Sequence, residues 1–399
     1  MKILVITPRI PFPPFRGDKL RIYNIIKTLS KKNEVKVVSF LKNPNELTSL
    51  EDYKKEGINI EVVHLSKLRS MFNLVRSFIL SEPLQVSYYH SKKIHQKIFE
   101  LTSKEKFDVI YFHIFTTAQY YNAVNDSNTL KVIDLTDATS LYLTRYMEFL
   151  RNPLKRMYFG YERKKIINYE KIVQNFDTVF VCSPVDRDYL LKRKIHNNIQ
   201  LFINGINNEI YKYASSKPEK FRIIFTGNMP YFPNRDAVMY FAKEILPLIL
   251  KKIPQTKFYI VGQDPPEEIL ALQSESIIVT GFVSDMKKEY LLSEVNVAPV
   301  RFGAGTPNKI TEALALGIPT VATSLTISGF REEIKKFIFT ADTPESFADK
   351  VISIFNDETI RTKYMKEASE TIGKLLNWEN LVGSIVNYLI SRIEIKRKQ

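Results

Sequence analysis

Phe225-Thr226-Gly227-Asn228-Met229-Pro230-Tyr231-Phe232-Pro233-Asn234 closes an apolar run at Arg222–Thr226 and leads into an amphipathic stretch from Asp236. An apolar run, a glycine turn and then a helix is the layout of a parallel strand feeding a crossover helix. The start of the chain repeats it. There Lys2–Ile6 runs into Ile10-Pro11-Phe12-Pro13-Pro14-Phe15-Arg16-Gly17-Asp18 and then into the helical stretch Lys19–Leu29. Two matching beginnings argue for two doubly wound halves.

The flanking sequence continues each series. In the first half, strands are expected at Val35–Phe40, Ile60–His64, Val109–Phe112, Lys131–Leu135 and Thr178–Val181. In the second they are expected at Lys257–Val261, Ile277–Thr280, Val295–Pro299, Pro319–Ala322 and Lys336–Phe339, with helices at Asp236–Lys252, Met286–Leu292, Asn308–Leu316, Ser346–Asn356 and Thr359–Leu375. The change-over falls in the turn-forming Asn204-Gly205-Ile206-Asn207. A chain of 399 residues with 44% hydrophobic content suits two cores better than one.

Composition narrows the partners. The single cysteine, Cys182, excludes an internal disulfide and a cysteine metal cluster, and reads as a small buried residue at a strand end. Met1–Pro8 reads as a buried strand rather than a secretory core. No apolar run approaches the roughly 18–20 residues that span a bilayer. The expectation is a cytoplasmic protein, soluble or peripheral at the inner face of the membrane. A formal charge of +15 favours anionic partners, whether phosphorylated substrates, an anionic membrane surface or nucleic acid.

Ligands of doubly wound sheets bind beyond the carboxyl ends of strands, so residues that directly follow strands carry the most weight. Gly17 and Gly227 open two such turns, where backbone amides can approach an anion. A third string is Pro299-Val300-Arg301-Phe302-Gly303-Ala304-Gly305-Thr306-Pro307-Asn308-Lys309-Ile310-Thr311-Glu312-Ala313. Gly305 permits close approach, and Asn308 or Thr306 is expected to cap the helix. Lys309 adds a positive charge at the helix start. Glu312, three residues on and on the same face, suits ribose hydroxyls. The alternative is a surface helix with an ordinary Lys–Glu pair.

These strings, in this order, resemble the family 4 retaining glycosyltransferases, nearest to the sugar transferases of exopolysaccharide clusters. The likeness runs through Thr226-Gly227, Gly262, Thr280-Gly281-Phe282-Val283, Lys309, Glu312-Ala313-Leu314-Ala315-Leu316-Gly317-Ile318-Pro319 and Trp378-Glu379. It implies an α/β chain of GT-B class, with two Rossmann-like doubly wound domains facing a cleft and a last helix returning to the first domain. The domains would be 1–205 with 378–399 on the acceptor side, and 206–377 on the donor side. It implies a nucleotide-sugar donor, no cofactor, and a glycan or lipid-linked glycan as acceptor in cell-surface polysaccharide synthesis. Donor contacts fall on Gly17, Gly227, Asn228, Arg301, Gly305, Lys309 and Glu312. The chain departs from the family at Ala304, where many members carry a second glutamate, at Asn228 in place of an arginine, and near Asn234 in place of a lysine. Lys309 and Arg301 are the substitutes at hand.

On the acceptor side, Val132-Ile133-Asp134-Leu135-Thr136-Asp137-Ala138-Thr139-Ser140 follows a strand. Relatives often place a histidine in this turn. Here Asp137 is the catalytic candidate, orienting an acceptor or donor hydroxyl, and helix capping is the alternative. Asp134 and His113 are further acceptor-side candidates. No metal site is expected. Asp186-Arg187-Asp188 fits a D-x-D pattern but follows Ser183-Pro184, where acids suit a helix start. His90 and His95 are not spaced as a zinc pair.

Two basic stretches, Lys67–Leu80 (with Lys67, Arg69 and Arg76) and Arg145–Lys171 (with Arg145, Arg151, Lys155, Arg156, Arg163, Lys164, Lys165 and Lys171), interleave aromatic and aliphatic residues. They read as amphipathic helices that either pack their apolar faces on the sheet or rest on an anionic membrane. Rival functions are another GT-B enzyme such as a nucleotide-sugar epimerase, and a catalytically inactive glycosyltransferase-like partner subunit. A nucleic-acid binder rests on charge alone, and no nucleic-acid partner is expected.

Overall fold

The computed structural model describes residues 1–14, 17–43, 46–214, 217–303, 305–360 and 364–398, without the side chains of Ser49 and Arg76. Phe15, Arg16, Ala304 and the Arg76 side chain, all named above, lie outside the described residues.

The chain divides into two compact units: Met1–Ile203 with Trp378–Gln399, and Asn204–Asn377. In unit 1 the strands are β1 (Lys2–Thr7), β2 (Glu34–Leu41), β3 (Asn59–His64), β4 (Val109–His113), β5 (Leu130–Thr136), β6 (Thr178–Val181) and β7 (Ile199–Leu201). They form one sheet in the order β3-β2-β1-β4-β5-β6-β7, parallel at every pairing. In unit 2 they are β8 (Arg222–Thr226), β9 (Lys257–Val261), β10 (Ile277–Gly281), β11 (Val295–Ala298), β12 (Thr320–Ala322) and β13 (Ile338–Thr340). Their order is β10-β9-β8-β11-β12-β13, again all parallel. Strand order reverses between β1 and β4 in one sheet and between β8 and β11 in the other. Those are the switch points where doubly wound sheets bind ligands.

The central strands are continuous apolar runs because helices cover both faces of a parallel sheet. Ile3, Leu4, Val5 and Ile6 of β1 are all buried, as are Ile223, Ile224 and Phe225 of β8. The last helix, Trp378–Lys398, belongs to unit 1. Its Trp378, Val382, Leu389 and Ile393 join the core under the Gly17–Ser30 helix. Lys396 and Arg397 then fasten its end to Asp177 and Asp108 at 2.7 Å each.

Several boundaries differ from the sequence reading. β7 was not expected, because three residues carry no periodicity. The helix after β8 starts at Phe232 rather than Asp236, since Pro233 sits in its first turn, where a missing amide costs nothing. Asn234 is therefore helical. The Asn308–Leu316 helix has the expected bounds, but neither Asn308 nor Thr306 caps it: Pro307 stands at the cap position with no side-chain bond, and Asn308 is the first helical residue.

Asp134 is a structural clamp. It is fully buried, and accepts bonds from Arg21 Nε (2.8 Å), Arg21 Nη2 (3.2 Å), Tyr111 Oη (2.8 Å) and the Thr136 amide (3.1 Å). The guanidinium offsets the cost of burial and holds the carboxyl well below the usual carboxylate range. Asp134→Ala strands a buried cation, so we expect a loss of about 3–5 kcal/mol in a urea melt. A loss under about 1 kcal/mol would remove the clamp from the account.

Candidate active site

In unit 2 the donor-side candidates collect at the switch point. The turn after β8 and the turn after β9 touch: a Cβ at Gly262 would run into the Gly227 carbonyl oxygen, and one at Gly227 would lie 2.6 Å from Asn234 Nδ2. Gly262 has no room for a side chain, and one at Gly227 would have to displace the Asn234 amide. Asn234 Nδ2 donates to the Asn228 carbonyl at 2.9 Å, and Gln263 Nε2 to Asn228 Oδ1 at 3.2 Å.

The Asn308–Leu316 helix faces this turn. Lys309 Nζ donates to Asn234 Oδ1 at 2.9 Å and lies 3.5 Å from the Phe225 ring centroid. Tyr290, from the helix Met286–Leu291, is fully buried and shares a bond of 2.7 Å with Thr226 Oγ1. Its hydroxyl also donates toward Glu312 Oε2 at 3.2 Å and the Lys309 carbonyl at 3.3 Å. Burial pulls the Lys309 ammonium down to about 7, against the opposing pull of Glu312. Burial pushes the Glu312 carboxyl up to about 7, partly offset by Tyr290 and Lys309. A cation and an acid, one helical turn apart and both short of solvation, are matched to a ligand carrying phosphate and hydroxyl groups.

Gly227, Asn228, Lys309 and Glu312 thus share one network. Asn234 and Tyr290 complete it. The sequence gives no local signal for Tyr290, whose contacts are tertiary. Gly305 has a φ of 75°, which suits its residue type. Arg301 is directed elsewhere: its guanidinium grips Asp236 at 2.9 and 2.6 Å and stacks 4.5 Å from the Tyr240 ring centroid.

In unit 1, a shallow pocket at the ends of β1 and β4, too tight to admit a ligand, is lined by Thr7, Arg9, Asp18, Lys19 and His113. His113 is buried, with Nε2 3.3 Å from the Asp18 carbonyl and Nδ1 3.6 Å from Asp134. Gly17 opens the helix beside this pocket, and a Cβ there would meet open space.

Asp137 follows β5. Thr136, just before it, has a φ of 66°, a left-handed conformation that is strained for a β-branched residue. Such strain costs about 1–3 kcal/mol and persists where the surroundings enforce it. Here the Thr136 amide is held by Asp134 and its carbonyl accepts from the Cys182 amide at 2.8 Å. Cys182 Sγ donates to Asp137 Oδ1 at 3.2 Å. Burial, then the nearby Asp186 carboxylate, pushes the Asp137 carboxyl up to about 7. Asp186 itself accepts from the Ala138 amide at 2.9 Å and, at its own helix start, from Ser183 Oγ at 2.5 Å. Asp188 turns outward beside Arg187. Asp186 and Asp188 therefore do not face one common point.

Residues 220–357 match the family described as glycosyl transferases group 1. A protein of Klebsiella pneumoniae described as an uncharacterized 44.6 kDa protein in the cps region is 21% identical over 387 residues, covering 93% of this chain and 92% of that protein. The fold is similar to HepE of Anabaena in complex with UDP (TM-score 0.67, 16% identity, 98% of this chain and 100% of that one). It is also similar to sucrose-phosphate synthase of Thermosynechococcus elongatus (TM-score 0.71, 16% identity, 98% and 99%). The fold class is GT-B. The group 1 match spans the strands and turns that build the Lys309–Glu312 network.

Proposed function

We propose that the protein is a retaining glycosyltransferase of the family 4 type. It moves a sugar from a nucleotide-sugar to a hydroxyl of a glycan or lipid-linked glycan. The observation that carries this reading is the pairing of Lys309 and Glu312 at an uncapped helix start, inside the segment that matches group 1. The helix amides and Lys309 receive the diphosphate and stabilise its charge as it leaves. Glu312, once ionised, accepts hydrogen bonds from ribose hydroxyls. Asp137 orients an attacking or donor hydroxyl. The UDP held by HepE makes UDP-sugars the first donors to test. The relative in a cps region supports a polysaccharide acceptor.

Melting the protein in a panel of nucleotide-sugars identifies the donor, because a ligand that binds only the folded state raises the midpoint. The cognate donor at a hundred times its Kd stabilises by about 2.7 kcal/mol. Nucleoside diphosphate should then be released only when acceptor is present, and NMR of the product should show the donor's anomeric configuration kept. An isomerised nucleotide-sugar formed without acceptor would replace this reading with an epimerase. Donor binding with no transfer to any extract would favour the inactive partner subunit.

A further inference from the structure

The Lys67–Leu80 helix is inside out. Ser70, Asn73 and Ser77 face inward and are buried, with Asn73 Nδ2 donating to the His90 carbonyl at 2.9 Å. Leu68, Phe72, Val75 and Ile79 are 73%, 75%, 66% and 81% exposed. Their spacing of four, three and four residues makes one continuous outward stripe. The Pro153–Tyr169 helix does the same with exposed Leu154, Met157, Tyr158 and Tyr161. The two helices are neighbours: Lys165 Nζ of the second lies 5.5 Å from the Phe78 ring centroid of the first. The sequence allowed these apolar faces to pack on the sheet, and the structure turns them outward. Apolar patches of this kind mark interaction surfaces.

Charge selects the occupant. Lys67–Leu80 contains no aspartate or glutamate, and its Lys67 and Arg69 are exposed. On the second helix Lys155, Arg156 and Lys164 are exposed, while its one acid, Glu162, is buried against Lys165 at 2.9 Å and accepts from the Leu84 amide at 2.6 Å. The surface therefore combines apolar side chains with exposed cations and keeps its acid inside. A second copy of this face would oppose cation to cation. A leaflet of anionic lipid offers acyl chains to the stripe and phosphates to its rim. We propose that these two helices form a docking surface for an anionic lipid bilayer. No helix among the described residues is long and apolar enough to cross one, so the contact is peripheral. The inference goes beyond sugar transfer and does not depend on it.

Co-sedimentation of the full chain with vesicles tests this without any activity readout. Vesicles of phosphatidylcholine with phosphatidylglycerol should bind at least about tenfold more tightly than phosphatidylcholine alone, and release the protein as salt rises. Lys155→Glu with Arg156→Glu should cut binding about tenfold or more. Phe72→Asp with Ile79→Asp should abolish it, with an unchanged melting midpoint because both side chains are exposed. Equal, weak binding to both vesicle types overturns the proposal. So does absence of vesicle binding together with a dimer in sedimentation equilibrium that Phe72→Asp with Ile79→Asp dissolves, which would assign the face to a second copy.

Discussion

Glu312→Ala and Lys309→Ala should each weaken nucleotide-sugar binding about 10- to 100-fold in calorimetry. Hydrogen bonds to charged groups contribute about 1.5–3 kcal/mol, and each substitution removes one such partner. The pH dependence of the native protein gives an independent check. Glu312 sits at about 7 and binds hydroxyls best when ionised, so affinity should rise with pH through that value. Lys309 also sits at about 7 and binds phosphate when protonated, so affinity should fall above it. The two limbs give a maximum near neutral pH. Stability behaves oppositely to affinity. The raised Glu312 value means the folded state holds a proton that the unfolded chain has lost, so stability falls as pH rises from about 4.5 to 7. The lowered Lys309 value means stability falls as pH drops from about 10.5 to 7. Lys309→Met with Glu312→Gln removes both penalties. That double variant should melt no lower than the native protein at pH 7 while losing donor binding. A variant that melts lower and still binds donor would make the pair structural.

Asp137→Asn should lower the rate of transfer about 100-fold or more, with donor affinity changed less than threefold, since a positioned acid–base group contributes about 10²–10⁴. The substitution keeps shape and leaves the Asp134 clamp in place. The Asp137 carboxyl sits at about 7, above its ordinary value of 3.8. The folded state therefore loses stability as pH rises between those values, and Asp137→Asn should flatten that part of the profile. Transfer by the native enzyme should rise through about pH 7 as the carboxyl ionises. Asp137 does not cap the helix that follows, whose N-cap is Ala138 with no side-chain bond; if its carboxyl serves only to accept from the Cys182 thiol, Asn accepts as well and the rate should stay within a few-fold.

Much of the fold was legible because it rests on local pattern. Lys2–Thr7 and Arg222–Thr226 are strands buried on both faces, so each carries an unbroken apolar run, Ile3–Ile6 and Ile223–Phe225, that can be read directly. Lys309 and Glu312 could be assigned to one face because three residues is nearly one helical turn. What escaped depends on contacts between distant segments. Asp134 meets Arg21 across 113 residues of chain. Tyr290 reaches Thr226 across 64. Nothing near Arg301 announces that Asp236 will hold it. Proline hid the helix start at Phe232, because it is tolerated in a first turn yet reads as a breaker. The periodicity of Lys67–Leu80 revealed an apolar face, but periodicity does not say which face turns inward.

Hydrogen–deuterium exchange with and without a saturating nucleoside diphosphate, UDP first, tests the central claim most directly. Bound nucleotide should slow exchange of the backbone amides at 227–229 and 308–312, with Lys309→Met plus Glu312→Gln abolishing the effect. Tight binding with protection confined to Met1–Ile203, or protection in unit 2 that the double variant leaves intact, would contradict the account.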